Sequence, residues 1–124
     1  VMAVTKTTTI SALGGKLIID FDADTSYENN VTAATSGTLY LVEVDNTANA
    51  STSAYLRIID RASADASNDV PTWMFVAAPG AKSSYLLPEG QVYSAGLSMW
   101  CTSNNAKDDA TAPASAVIVR LIAE

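Results

Sequence analysis

The chain has 124 residues and a formal net charge of −6, with 48% hydrophobic and 16% charged residues. This length and composition predict one globular domain over residues 1–124, built around a single hydrophobic core. The acidic balance and the lack of Lys and Arg clusters exclude a phosphate-binding surface, so we expect no nucleic acid and no membrane as partners.

The first dozen residues are rich in threonine and almost free of large apolar side chains. Because β-branched residues favour extended backbone without supplying much burial, residues 1–12 are interpreted as an extended N-terminal arm. Such an arm can pair with a neighbouring subunit, which makes Thr7, Thr8 and Thr9 candidate interface residues. A frayed terminus explains the same composition equally well.

Apolar residues then recur with a period of two in short segments, which is the pattern of half-buried strands. The segments are 17–21, 40–44, 56–58, 73–75, 97–101 and 117–121. In the first segment Leu17, Ile19 and Phe21 alternate with Ile18 and Asp20. A charged residue in mid-strand predicts the side that faces solvent, and the residues marked in this way are Asp20, Glu43, Arg57 and Arg120.

Glycine, proline and polar residues separate these segments and predict turns or loops. The predicted breaks are Gly14-Gly15, Asp45 to Ser53, Ser63 to Asp69, Pro79-Gly80, Pro88-Glu89-Gly90 and Ser103 to Pro113. At most one helical turn is expected, in the Ala-rich stretch 61–66. Six or more short strands without helices predict an all-β, antiparallel β-sandwich that is jelly-roll-like.

The residue inventory argues against catalysis. The sequence contains no histidine, which removes the commonest general base and the commonest metal ligand. Cys101 is the single cysteine and lies on the same side of its segment as Leu97 and Met99, which indicates a buried, inert thiol. Two carboxylates in one cleft remain the only enzymatic alternative. We therefore predict a protein that is not an enzyme and that binds no cofactor.

Carboxylates at alternate positions, Asp20, Asp22 and Asp24, are candidate calcium ligands. The run begins like an EF-hand loop, but Thr25 replaces the required glycine and Val31 replaces the bidentate glutamate. The favoured interpretation is therefore a solvated strand end without a metal.

The order of features from Gly37 onward resembles a known group of proteins. A strand Gly37-Thr38-Leu39-Tyr40 runs to Asn46, and a strand Tyr55-Leu56-Arg57-Ile58 is followed by Asp60 and Ala62. Pro88-Glu89-Gly90 precedes a Gly96-Leu97 strand, and Thr111-Ala112-Pro113 precedes Val117-Ile118-Val119. Over roughly its last 88 residues the chain resembles small bacteriophage virion proteins that serve as capsid decoration or tail-associated modules.

This resemblance implies a structural protein located in the virion, on the capsid surface or the tail. The expected partners are further copies of the chain, in a homo-oligomer that analogy suggests is a trimer, and the major capsid or another virion protein. Trp100, on the opposite side of its strand from Met99 and Cys101, is a further candidate interface residue.

A carbohydrate-binding β-sandwich is the alternative, because sugars stack on aromatic side chains. The aromatic residues that could form such a platform are Trp73, Tyr85, Tyr93 and Trp100.

Overall fold

The strands follow the alternating segments of the sequence. The computed structural model describes residues 5–6, 15–64 and 69–124, with side chains for the latter two ranges. The strands are β1 Thr5–Lys6, β2 Lys16–Ala23, β3 Gly37–Asp45, β4 Ala54–Ile59, β5 Trp73–Ala77, β6 Lys82–Tyr93, β7 Ser98–Thr102 and β8 Val117–Ala123. The described ranges contain no helix, and the all-β prediction is confirmed for them.

Two antiparallel sheets form the molecule. The larger sheet has the order β1-β2-β8-β3-β6, and the smaller sheet has the order β5-β4-β7. Their facing sides carry fully buried apolar residues such as Val42 of β3, Leu56 of β4 and Val119 of β8. A sandwich of two sheets around one core is therefore confirmed.

The strand β7 is hydrogen-bonded on both of its sides. On the side away from β4 it pairs with the segment 24–31, in which the Cys101 N–H donates to the Asp24 carbonyl at 2.7 Å. Glu28 and Met99 exchange both of their backbone hydrogen bonds, at 2.9 Å each. This segment therefore occupies the position of a further strand beside the smaller sheet.

The predicted sides of β2 are reversed in the structure. Ile18 and Asp20 face the interior, with Asp20 only 2% exposed, while Leu17, Ile19 and Phe21 are half-buried on the outer side. The prediction that Asp20 faces solvent is wrong. The reason is register: Asp20 lies opposite Val119 and Ile18 opposite Leu121, and both partners are core residues.

The prediction of an exposed Arg57 is also wrong, because its side chain is fully buried. Leu56 and Ile58 fill the core on one side of β4, and Arg57 lies on the other side beneath the loop that follows β7. For β8, and for β3 from Leu41 onward, the predicted sides are correct. Tyr40, predicted on the side of Val42, is only half-buried and Leu39 is buried instead, because the register shifts between Leu39 and Leu41. Val42, Val44, Val117 and Leu121 are buried, while Glu43 and Arg120 are half-exposed.

The long strand β6 was not predicted, and Pro88-Glu89-Gly90 is not a chain-reversing turn. Residues 82–86 of β6 pair with 41–45 of β3, and residues 91–93 pair with 37–39. The four residues 87–90 lie opposite Tyr40 alone, so they form a large bulge in a continuous strand. Gly90 has a φ of 76°, a conformation that glycine adopts without steric cost.

Other predictions fall at the limits of the described ranges. In the predicted arm, Thr5 and Lys6 form β1 and pair with Ile19 and Ile18 of the same chain. Thr7, Thr8 and Thr9 lie outside the described residues. No helix forms at positions 61–64, and positions 65 and 66 of the predicted helical turn also lie outside.

Candidate interaction surface

The larger sheet turns an unusually apolar side outward. Antiparallel sheets with one solvated face normally alternate apolar residues inside with polar residues outside. In β8, however, the half-buried outer residues are Ile118, Arg120 and Ile122, and in β3 they include Leu41 and Glu43. Leu86 of β6 continues this side and is 61% exposed. We name these six residues the outer sheet face.

Strand register arranges the outer sheet face in rows across the sheet. Ile122 is the partner of Leu41, and Leu41 is the partner of Leu86, so three apolar side chains stand next to one another. We call these three residues the apolar row. Cross-strand neighbours of this kind are close enough for their side chains to touch. They form a continuous apolar surface across β8, β3 and β6.

The next row, two residues further along each strand, is ionic. Arg120 is the partner of Glu43, and the Arg120 Nη1 lies 2.9 Å from the Glu43 Oε1. Their side chains are 35% and 20% exposed. The opposite charges hold one another in fixed positions beside the apolar row, although such exposed pairs contribute only about 0–1 kcal/mol to stability.

The smaller sheet is covered on part of its outer side by the loop that follows β7, while Met74 and Val76 of β5 stay exposed on that side. The Arg57 guanidinium donates to the carbonyl oxygens of Asn104, Ala106 and Lys107 and to the Thr102 Oγ1, at 2.5–3.0 Å. Arg57 therefore ties the loop after β7 onto the sheet. The two outer sides of the sandwich differ, since a loop of the chain covers one of them around Arg57 and the other presents the apolar row.

Trp100, a predicted interface residue, does lie on the outer side of the smaller sheet, but it is only 4% exposed. Its ring packs on Tyr27, with ring centroids 5.0 Å apart. The residue is thus covered within its own chain and offers little area to a partner.

The aromatic residues considered as a sugar platform are covered to different degrees. Tyr93 is fully buried, and its hydroxyl donates to the Glu124 carbonyl and contacts Thr32 Oγ1 at 2.9 Å. Trp73 and Tyr85 are half-buried and pack against the core. None of these rings, nor that of Trp100, lies open on the surface as a flat platform.

The acidic residues near the end of β2 interact electrostatically. Burial raises the pKa of Asp20, and the nearby carboxylates of Asp24 and Asp22 add to the rise. Burial likewise raises the pKa of Glu28, with further contributions from Asp20 and Asp24. The Asp20 Oδ1 accepts the Asp22 N–H at 3.0 Å, and the Asp24 Oδ1 accepts the Ser26 N–H at 2.8 Å.

In residues 15–64 and 69–124 no three acidic or cysteine side chains are grouped as metal ligands would be. The proposed calcium ligands Asp20, Asp22 and Asp24 are therefore not brought together as a metal site. The solvated strand end that was favoured instead is wrong for Asp20, which is almost completely buried.

Cys101 lies in the core, as its alternation with Met99 predicted. Burial raises the pKa of its thiol to about 12. A thiol with such a pKa is protonated at neutral pH and is a poor nucleophile.

The outer sheet face was not identified from the sequence, although one signal was present. In both β3 and β8 the side marked by a charge also carries large apolar residues, namely Leu41, Ile118 and Ile122. A surface strand needs only one apolar side to fold, so a second apolar side indicates an additional contact. The exposed Leu86 gave no such signal, because β6 itself was not predicted.

Comparison of the chain with protein-family models, with curated proteins and with solved structures finds no match. Within the described ranges, no helix has the length and hydropathy that crossing a bilayer requires.

Proposed function

We propose that this chain is a non-enzymatic structural protein of a bacteriophage virion, which decorates and stabilises the capsid and assembles as a homo-oligomer. The observation that carries the proposal is the apolar row Ile122–Leu41–Leu86 on the outside of the larger sheet. An apolar row of this kind on a sheet exterior is typical of a protein–protein contact. The resemblance of residues 37–124 to small virion proteins implies that this contact is made within a phage particle.

The strand pairing supports a jelly-roll version of the sandwich. If segment 24–31 is counted as a strand and β1 is set aside, eight elements run from β2 to β8. The first pairs with the last, the second with the seventh, the third with the sixth, and the fourth with the fifth. This nested pairing is how an eight-stranded jelly roll is wound, and jelly rolls are common in viral capsid proteins and in lectins.

The available side-chain chemistry supports a role without catalysis. Histidine is missing from the sequence, and the single cysteine is buried with a thiol pKa of about 12. A pair of a serine or cysteine nucleophile with a histidine base therefore cannot form in this chain. Asp20 and Glu28, whose pKa values are both raised by burial, are the carboxylate pair on which the enzymatic alternative would depend.

The carbohydrate-binding alternative lacks a comparable observation. Two of its four aromatic candidates, Tyr93 and Trp100, are buried. A glycan-array measurement tests this alternative, and specific binding to a glycan would favour it.

The proposal is tested on particles of the phage that encodes the chain. Quantitative mass spectrometry of purified virions should find the chain in a stoichiometric amount. Particles made without it should rebind the purified chain, sediment together with it and regain heat resistance. A chain that is missing from virions, and that stays in the supernatant when mixed with such particles, would overturn the proposal.

A further inference from the structure

The outer sheet face has the geometry of a contact between two copies of this chain. This inference deepens the proposed function and rests on its self-association, but not on the virion setting. Its starting point is the position of β8 and β3, which are neighbours in the middle of the larger sheet. Each contributes one residue to the apolar row, Ile122 or Leu41, and one residue to the ionic row, Arg120 or Glu43.

We propose that two copies pack the outer sheet face against itself about a two-fold axis that runs along the strands, midway between β8 and β3. Such an axis exchanges the two strands, so that β8 of one copy lies over β3 of the other. Arg120 then faces the partner's Glu43, and Glu43 faces the partner's Arg120. In the same way Ile122 and Leu41 face one another across the interface, and apolar residues meet only apolar residues in that row.

Charge decides between this axis and the other two-fold arrangement of the same faces. An axis across the strands, along the ionic row, would place Arg120 over the partner's Arg120 and Glu43 over the partner's Glu43. Like charges in direct opposition across an interface strongly disfavour association. The along-strand axis instead sets each charge against its opposite, which is the self-complementarity that a two-fold interface requires.

The size of the face indicates how tight this contact is. The axis places β6 over the partner's β2, so the contact spans the four strands β2, β8, β3 and β6. At about 4.8 Å between strands and about 3.4 Å per residue, it covers roughly 19 by 24 Å for strands the length of β8. This is below the roughly 800 Å² per partner of a standard stable interface. A reversible dimer is therefore expected, in place of the trimer that analogy suggested.

Reciprocal charge variants test the axis directly. Arg120→Glu and Glu43→Arg each place like charges at both ends of the two-fold contact. In sedimentation equilibrium each variant alone should dissociate at least about tenfold more easily than the unchanged chain. A mixture of the two variants restores opposite charges at both positions, so a heterodimer of near-original affinity should form. Native mass spectrometry with one isotopically labelled variant identifies it.

Control measurements distinguish an effect on folding from an effect on association. Each variant should keep the far-UV circular dichroism spectrum of the unchanged chain, because an ion pair as exposed as Arg120–Glu43 contributes little to folding. Leu86→Lys, at a position that is 61% exposed, should also weaken the dimer. Val70→Lys, at a similarly exposed apolar position (57%) outside the larger sheet, should leave the dimer unchanged.

The inference is overturned if the unchanged chain is monomeric at all accessible concentrations, or if the mixed variants fail to form the heterodimer. A trimer that resists both charge variants overturns it as well. These results are distinct from failure of the proposed function, since binding to virions is measured independently. A monomer that still joins particles would refute the self-association and the two-fold contact, but not the attachment to the virion.

Discussion

The thiol of Cys101 is a reporter of the core in which it is buried. Its pKa of about 12 means that almost no thiolate exists in the folded protein at neutral pH. We expect a disulfide reagent such as Ellman's to label the native chain only as fast as the sandwich opens. In concentrated urea the same thiol should react within seconds. Rapid and complete labelling of the folded chain would contradict the burial of this residue.

A second prediction concerns the buried carboxylate of Asp20, whose pKa is raised above its ordinary value of 3.8. As pH rises past that value, the unfolded chain loses this proton before the folded chain does, so the free energy of unfolding falls. This loss of stability persists at neutral pH. Asp20→Asn removes the loss and keeps an oxygen to accept the Asp22 N–H, so it should raise the melting temperature at neutral pH.

The comparison of melting temperatures across pH tests this prediction. The difference between Asp20→Asn and the unchanged chain should shrink as pH falls below about 4, where the carboxyl is protonated in both states. Asp108→Asn, at an exposed loop position, serves as the control and should show no such trend. If Asp20→Asn destabilises the protein at every pH, burial is not the dominant influence on this carboxyl.

Some properties of individual residues could be predicted from the sequence and others could not. The burial of Val42, Val119 and Cys101 followed from alternation alone, because a strand must turn its apolar side to the core. The rule that a charge marks the solvent side was wrong for Asp20 and Arg57. Arg57 is covered by carbonyl oxygens about fifty residues further along the chain, and no local pattern encodes such a contact.

Among the structural elements, the loop after β7 depends on Arg57. Replacing it by methionine leaves the Thr102 Oγ1 and three loop carbonyls without their charged donor. Since hydrogen bonds to charged groups contribute about 1.5–3 kcal/mol each, and the loop can open to water, we expect Arg57→Met to lower the free energy of unfolding by about 2–4 kcal/mol. Urea denaturation measures this change.

Proteolysis of the same loop gives a second, independent measurement. Once the loop is released, trypsin should cut after Lys107 much faster than in the unchanged chain. Arg61→Met is a suitable control, because the Arg61 side chain is 51% exposed and its ion pair with Asp69 should contribute only about 0–1 kcal/mol. Equal effects of the two substitutions would show that Arg57 does not hold the loop.

The strands in which apolar and polar residues alternate were predicted from the sequence, whereas β6 was not. Pro88 and Gly90 are ordinary signals of a turn, yet here they lie in a bulge within one continuous strand. The bulge is possible because β6 is the edge of its sheet, so Pro88 need not donate a hydrogen bond to a further strand. Whether a strand lies at an edge is a property of the whole sheet, and for that reason the sequence of this segment alone indicated a turn.

For the molecule as a whole, the pairing of β2 with β8 joins residues 16–23 to residues 117–123. Contacts of such long sequence separation must form against the entropy of closing a long loop, which makes folding slow. We therefore expect refolding from urea in milliseconds to seconds. Stopped-flow fluorescence of Trp73 and Trp100 measures this rate, and refolding in microseconds would be inconsistent with the nested pairing.

At the same scale, a two-fold contact through the larger sheet sets a limit on growth. The loop held by Arg57 covers part of the outer side of the smaller sheet, while the apolar row lies on the larger sheet. If two copies meet through that row about a two-fold axis, the contact is closed and leaves no second apolar row for a third copy. Association through this face therefore consumes the surface that further growth there would need.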